Sequence, residues 1–261
     1  MAVLKLAKMF LMPSSTIRLV PYVLILPVIL FQALSLSGCA STSPAIPNIY
    51  IVSLQSSKNL TTPVEVRLGY FGICGDDGTS LRCQPSSGGS AEAVAISLFP
   101  TFVTNSTSTP KSGANATLTP ADVKDLVTTA LDLQSQIFIS ILAGAAFLFA
   151  VGIIFLFLFK RDASKPNAAK PLRAAIFRRG TYGLLYLSTA LVFTTALATT
   201  ETAGALQYAS SATRNAPILM HAGRTLQVLQ WMAFGFSTLF TLTVPILVRP
   251  GVVAALGKGE A

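Results

Sequence analysis

Four long apolar runs dominate the sequence, and polar stretches of very different lengths separate them. The runs cover residues 19–38, 136–159, 182–199 and 225–248, and none contains an acidic residue. A helix needs roughly 20 predominantly apolar residues to cross the hydrocarbon core of a bilayer. Because backbone polar groups in lipid must be satisfied within the chain, each run is expected to be helical. The pattern therefore predicts a mainly α membrane protein with four transmembrane helices.

Basic residues lie beside these runs and predict the orientation of the chain. Residues 160–181 hold seven Lys or Arg and one acid, and residues 1–18 hold three bases and no acid. Cytoplasmic segments carry an excess of Lys and Arg. We therefore predict that residues 1–18, 160–181 and 249–261 are cytoplasmic, so both termini lie inside. Residues 39–135 and 200–224 become the first and second outer loops.

The first run also has features of a cleaved leader. It has a basic start, an apolar middle and small residues just before Cys39. Because three more apolar runs follow, we expect it to be retained as a transmembrane helix, and cleavage is the alternative.

The long outer loop has its own pattern of strands and turns. Alternating β-branched and aromatic residues predict strands at 48–54 and 64–71, and the apolar stretch 91–103 predicts a third. Thr119 as N-cap and Pro120 at the first helical position predict a helix start. No helix breaker follows as far as Phe149, so the second span is expected to begin as a long helix above the membrane.

Cysteines and glycosylation motifs occur in the same loop. Cys74 and Cys83 flank a turn-like sequence in the compartment where disulfides persist, so we predict a bridge between them. Cys39 is left over and is expected to be a buried or lipid-facing thiol without a chemical role. Three Asn-x-Thr motifs begin at Asn59, Asn105 and Asn115. They predict N-glycosylation of a secretory-pathway ectodomain, unless they only reflect a loop rich in Ser, Thr and Asn.

Composition narrows the class of protein. The chain is 52% hydrophobic and 11% charged, with a formal net charge of +9, whereas soluble domains carry about 25% charged residues. The bases flank apolar runs instead of forming a domain of their own, so the predicted partner is the lipid bilayer and not nucleic acid.

The most specific motif surrounds the predicted disulfide. It consists of Gly69, Tyr70, Phe71, Gly72, Cys74 and Cys83. It resembles the claudin-superfamily signature, in which Gly, an apolar residue and Trp precede a Cys, but Phe71 stands in the Trp position. The variant is more similar to the fungal Fig family of claudin-like tetraspan proteins. This resemblance implies a claudin-like four-helix transmembrane bundle with a small disulfide-bridged β-sheet ectodomain in the first outer loop.

The resemblance also implies a function. Members of the Fig family regulate calcium influx and membrane fusion in mating cells, so a plasma-membrane protein that acts by binding is expected. Its partners would be a second copy of the chain, or calcium-channel or fusion machinery. A general membrane-organising scaffold or auxiliary channel subunit without a mating role is the alternative. An independent transporter or channel is disfavoured because the apolar runs are nearly free of ionisable residues.

Candidate residues for chemistry are few. The chain has one histidine and no nucleophile or acid–base constellation, so neither an enzyme nor a cofactor is predicted. Asp76 and Asp77 lack the spacing of a dedicated calcium loop, and they are expected to form a solvated turn; weak calcium binding, which the family resemblance implies, is the alternative.

The remaining polar cluster is expected near the outer leaflet and comprises Glu201, Arg214, His221 and Arg224. A structural ion pair is the simpler interpretation of this cluster, and a role in ion passage or partner docking is the alternative.

Tyr70 and Phe71 are predicted to lie on opposite faces of one strand.

Overall fold

The computed structural model describes residues 14–56, 64–86, 89–100, 120–136, 139–163, 171–212 and 218–247. The helices are α1 Ser14–Leu36, α2 Ala91–Leu98, α3 Pro120–Gln136, α4 Ile139–Ala163, α5 Pro171–Ala212 and α6 Arg224–Leu247. The strands are β1 Val52–Ser56, β2 Glu65–Leu68, β3 Gly72–Asp76, β4 Leu81–Pro85 and β5 Ile218–Ala222. A short 3-10 helix, Ile46–Asn48, precedes β1.

The chain divides into two compact units. We call the first the membrane unit; it is drawn from Met1–Gln32, Ser140–Thr194 and Trp231–Ala261. We call the second the sheet unit; it is drawn from Ala33–Ile139 and Thr195–Gln230.

Among the described residues, three helices are long and apolar enough to cross a membrane. The candidate spans are Ile141–Arg161, Ala175–Ala212 and Arg224–Pro245, whereas the apolar part of α1, Val20–Leu36, is shorter. The chain is therefore a mostly helical membrane protein, and a bundle of four spans stays a prediction.

Small residues and aromatic rings shape the core of the membrane unit. The Ser188 hydroxyl on α5 donates a hydrogen bond to the Ala145 carbonyl on α4, at 2.8 Å. The Phe149 and Phe240 rings meet edge to face, with centroids 5.4 Å apart. Small side chains let helices approach closely in a membrane, where packing replaces the hydrophobic effect between them.

The sheet has five antiparallel strands in the order β4-β3-β2-β1-β5. Its last strand, β5, comes from a distant part of the chain and pairs with β1, with His221 opposite Ser53. The outer edge of β5 is closed by α5, because the backbone N–H groups of Met220 and Ala222 donate to the side chains of Ser210 and Gln207.

One face of the sheet is covered by α2 and α3. The buried core there contains side chains from β1, β2 and β3 together with Val94, Phe99 and Val127. α2 begins at an N-cap, Ser90, whose hydroxyl accepts a hydrogen bond from the Ala93 N–H, and Glu92 lies in its first turn. A serine cap followed by an acid is a helix-start signal.

Two of the predicted strands differ from the structure. The third, at 91–103, was wrong, because Ala91–Leu98 is helical and its apolar side chains pack on the sheet; residues 101–103 lie outside the described residues. The first, at 48–54, begins too early, because Pro47 supports a 3-10 turn and β1 starts at Val52.

The second predicted outer loop contains regular structure, and the predicted long helix lies partly outside the described residues. The segment 200–224 is not a simple loop, since it contains the last turns of α5 and all of β5. The long helix expected from Thr119 to Phe149 is seen as α3 and α4, and residues 137–138 between them lie outside the described residues.

Candidate functional site

The predicted disulfide is confirmed. Cys74 on β3 and Cys83 on β4 are directly opposite in the sheet register and form a bridge, with their Cα atoms 4.0 Å apart. The bridge closes the β3–β4 hairpin and therefore holds the edge of the sheet that α5 does not cover.

The first four residues of the motif, Gly69 to Gly72, make the turn between β2 and β3. The Gly69 N–H donates to the Gly72 carbonyl at 2.9 Å, and Tyr70 and Phe71 occupy the two positions between them. The predicted strand 64–71 is therefore shorter, since β2 ends at Leu68 and the chain turns at Tyr70.

The motif glycines allow this turn to pack against backbone. A Cβ on Gly69 would overlap the carbonyl of Gly38, and one on Gly72 would overlap the carbonyl of Cys39. Since those neighbours are main-chain atoms, no side-chain rotation can relieve the overlap. Both positions therefore require glycine.

Tyr70 anchors the turn to three helices. Its side chain is 1% exposed, and its hydroxyl accepts a hydrogen bond from Gln230 Nε2 on α6 at 2.6 Å. The same hydroxyl lies 3.1 Å from the Thr199 hydroxyl on α5. From α3, Gln134 Nε2 donates to the carbonyls of Gly69 and Tyr70, both at 3.0 Å. We call this arrangement the Tyr70 anchor.

Burial keeps Tyr70 a neutral phenol. Burial raises its pKa, and the hydrogen bonds from Thr199 and Gln230 oppose this only in part. The group is thus a fixed structural contact and not an acid or base.

Phe71 is exposed, in contrast to the buried Tyr70 beside it, because 43% of its surface is accessible to solvent. Its carbonyl accepts a hydrogen bond from the Ser86 N–H at 3.1 Å, which fixes its backbone beside the end of β4. The prediction that Tyr70 and Phe71 have different surroundings agrees with their exposures. The two residues lie in a turn, however, and not on opposite faces of a strand.

Cys39 is a free, buried thiol close to the bridge. Its sulfur lies 3.6 Å from the Ile49 carbonyl oxygen, and its own carbonyl is 3.8 Å from the Cys74 sulfur. Burial raises the pKa of Cys39 to about 12, although Arg67 opposes the rise. A thiol with that pKa carries almost no thiolate at neutral pH and is a poor nucleophile.

Arg67 organises the polar face of the sheet. Its guanidinium makes two hydrogen bonds to the Glu65 carboxylate, at 3.1 and 3.2 Å, and lies 3.6 Å from Asp76. It also donates to the Asn48 side chain at 3.2 Å and lies over the Tyr50 ring. The Glu65 and Asp76 carboxylates are therefore both paired with the same Arg67 guanidinium.

The loop between the disulfide cysteines uses its acids internally. The Asp77 carboxylate accepts hydrogen bonds from the N–H and hydroxyl groups of both Thr79 and Ser80. Burial tends to raise the pKa of the Asp77 carboxyl, but those hydrogen bonds outweigh it and hold the pKa below its usual range. The Asp77 carboxylate oxygens are thus used for hydrogen bonds within the turn. Within the described residues, no group of three or more His, Cys, Asp or Glu could hold a metal ion.

The described residues of the predicted polar cluster lie on three different elements. Glu201 lies within α5, His221 lies on β5 and Arg224 begins α6, and all three side chains are exposed. Among the residues that the structure describes, no ion pair joins them. α5 continues to Ala212 and carries Glu201 along its side, and the ion-pair interpretation of the cluster stays a prediction. Arg214 lies outside the described residues, as do the glycosylation candidates Asn59, Asn105 and Asn115.

Sequence analysis missed the three partners of Tyr70, which are Gln134, Thr199 and Gln230. The available signal was the position of the two glutamines at the borders of apolar stretches, since a buried glutamine must find a partner. Nothing local indicated that this partner would be the motif tyrosine.

Comparison with known proteins gives one family. No curated protein matches the chain. The model of a family described as "Ca2+ regulator and membrane fusion protein Fig1" matches residues 50–249, a range that contains all five strands, the disulfide and the three candidate spans. That description is of a regulator and fusion protein and names no catalytic activity, and membership of the wider claudin superfamily stays a prediction. Because the match covers most of the sequence and includes the motif described above, this chain belongs to the Fig1 family of Ca2+ regulators and membrane fusion proteins.

Proposed function

We propose that this chain is a plasma-membrane tetraspan protein that regulates calcium influx and membrane fusion during fungal mating, and that it acts by binding and not by catalysis. Family membership supports calcium regulation and fusion. The sheet unit is its binding part, and its partner is a second copy of the chain or calcium-channel or fusion machinery.

The proposal includes α1 as a fourth span. In the membrane unit, Val28 of α1 is fully buried in a cluster with side chains of α4, α5 and α6. The apolar part of α1 has a length of about 26 Å and the whole helix about 35 Å at 1.5 Å per residue, compared with roughly 30 Å of hydrocarbon. Four spans place both termini on the same side, and the basic segment 160–181 assigns that side to the cytoplasm.

The same topology makes the sheet unit extracellular. A disulfide persists in an oxidising compartment, and the three glycosylation motifs belong to the same outer segment. We infer a glycosylated ectodomain at the cell surface.

The observation that carries the binding proposal is the contrast within the motif. Tyr70 is locked by three helices, and Phe71, the next residue, is held on the surface by the same turn. An exposed aromatic side chain whose backbone is already fixed loses little conformational entropy when it becomes buried against a partner. Phe71 is therefore the residue that we assign to partner contact.

The test compares Phe71→Ser with Ile96→Ser in mating cells at matched surface levels. Ile96 is a suitable control because it is also apolar, lies in the sheet unit and is 46% exposed. We expect Phe71→Ser to reduce both calcium influx and fusion efficiency, and Ile96→Ser to leave both near the level of the unmodified protein.

The outcomes separate the candidate functions. Equal loss in both variants would mean a general surface effect and would remove the special role of Phe71. No loss in either variant, together with normal influx and fusion when the whole protein is deleted, would support a general scaffold or auxiliary subunit without a mating role.

A further inference from the structure

A group of basic side chains lies near the end of α4 and the beginning of α5 in the membrane unit. We define the basic collar as Lys160, Arg161, Arg178 and Arg179. All four are exposed. They lie where one candidate span ends, at Arg161, and just after the next one begins, at Ala175. The proposed function uses the segment 160–181 only to assign the orientation of the chain and gives these four side chains no binding role.

Aromatic contacts bring the helix ends of the collar together. The Phe155 ring on α4 meets the Phe177 ring on α5 edge to face, with centroids 5.7 Å apart. Gly180 allows this approach, since a Cβ there would lie 3.1 Å from the Phe155 ring. On the α1 side, the Lys160 ammonium donates to the Tyr22 hydroxyl at 3.2 Å and lies 5.2 Å from the centre of its ring.

Positive charge is in large excess around the collar. No acidic residue occurs among the membrane-unit side chains that the structure describes, which are 20–32, 141–161, 175–194 and 231–245. In that part of the chain no ion pair involves Arg161, Arg178 or Arg179. Even with Asp162 counted, residues 160–181 hold seven bases and one acid. Aromatic and basic residues at the end of a span are typical of side chains placed at headgroup depth.

We propose that the basic collar binds the phosphate-bearing headgroups of anionic phospholipids in the adjoining leaflet. An excess of positive charge attracts such headgroups, and the effect is additive over neighbouring bases. Arginine is especially suited because its planar guanidinium can donate two hydrogen bonds to one phosphate. The inference holds for either leaflet and does not depend on the proposed mating role.

The test measures lipid selectivity of the full chain. The protein is reconstituted in phosphatidylcholine vesicles that contain traces of spin-labelled phosphatidylserine or spin-labelled phosphatidylcholine. The fraction of immobilised label then gives their relative association with the protein. We compare the unmodified chain with Arg178→Gln/Arg179→Gln. The matched control is Arg82→Gln/Lys124→Gln, which also removes two exposed bases but from parts of the sheet unit outside the candidate spans.

The expected result is a preference for phosphatidylserine that is lost in the collar variant and kept in the control. Each basic residue at the surface is worth roughly a five-fold preference at one lipid site, and averaging over all lipid contacts reduces this to about two-fold or more. The preference should also fall as salt is added. Equal selectivity in the unmodified chain and the collar variant would overturn the proposal, as would equal loss in both variants.

Discussion

The sheet unit and the membrane unit bury polar atoms in different ways. In the sheet unit, buried groups bond to residues far away in the sequence, as in the pair Tyr70 and Gln230. In the membrane unit, hydroxyls bond mainly to a carbonyl one turn earlier in the same helix, as Thr241 does to Ser237. Buried side-chain atoms without a partner occur in both units among the described residues: Gln32 Nε2 and the Ser237 hydroxyl in the membrane unit, and Gln230 Oε1 in the sheet unit.

The two units also differ in how their glycines are used. Gly69 and Gly72 in the sheet unit face main-chain atoms at distances that exclude a side chain. In contrast, a methyl group added in the membrane unit would meet only open space at Gly144 and Gly235, and side-chain atoms but no main-chain atoms at Gly152 and Gly180. The packing of the sheet unit therefore depends on specific main-chain contacts that exclude a side chain. The membrane unit has glycine positions that can accept an added methyl group.

The largest effect is expected from Gly69→Ala. The added methyl group would overlap the Gly38 carbonyl, and displacing backbone to relieve this costs about 3 kcal/mol or more. Gly144→Ala is the matched control and is expected to be neutral or slightly stabilising, because alanine favours a helix more than glycine does. The yield of monodisperse protein and its melting temperature in detergent measure both. Similar losses in the two variants would remove the contrast between the units.

The next effect is expected from breaking the disulfide. The Cys74→Ser/Cys83→Ser variant should lose about 2–4 kcal/mol of sheet-unit stability, because the unfolded hairpin gains freedom. The melting temperature of the unmodified chain should fall when reductant is added, and that of the variant should not respond. If reductant lowers both equally, another thiol process is responsible.

A smaller effect is expected from Tyr70→Phe. Loss of the hydroxyl leaves the Gln230 and Thr199 side chains without their partner at this site, and one unsatisfied buried group costs about 1–3 kcal/mol. Tyr208→Phe is the control because Tyr208 is 75% exposed. Hydrogen exchange of the β2–β3 turn should increase only in the Tyr70 variant, and unchanged protection there would mean that the anchor does not hold the turn.

The smallest effect is expected from Asp77→Asn and depends on pH. The folded chain holds the Asp77 pKa below its usual range, so its stabilisation is present above the unfolded-state pKa, near 3.9, and is lost as the pH falls through the folded-state value. The variant should be less stable than the unmodified chain at pH 6, and this difference should shrink below about pH 4. Asp132→Asn, on the exposed side of α3, serves as the control, and an equal pH response in both variants would contradict the assignment.

Local pattern predicted several features of this chain well. The apolar runs gave the three candidate spans, and the cysteine spacing gave the Cys74–Cys83 bridge. Both depend on short stretches of sequence whose chemistry determines the outcome. The helix α2 had a local signal too, since Ser90 and Glu92 are typical of a helix start, but the apolar residues that follow were interpreted as a strand.

Features that depend on distant contacts could not be predicted in this way. β5 has little strand character of its own and is held by β1, whose residue Ser53 pairs with His221. Likewise, α5 runs on to Ala212 through a polar stretch, where Ser210 bonds to Met220 of β5. The Tyr70 anchor joins residues from four separate parts of the chain, so no window of sequence contains it.

The position of β5 has a consequence for biosynthesis. A ribosome delivers β1 to β4 and both disulfide cysteines before it reaches the spans that precede residue 218. The β3–β4 hairpin, whose cysteines are separated by 9 in the sequence, can therefore close and oxidise while later helices are still being inserted. The fifth strand, together with Gln230, arrives only after α5 has been made. The β1 edge of the partly built sheet therefore stays unpaired with β5 until the two helices α4 and α5 have been synthesised.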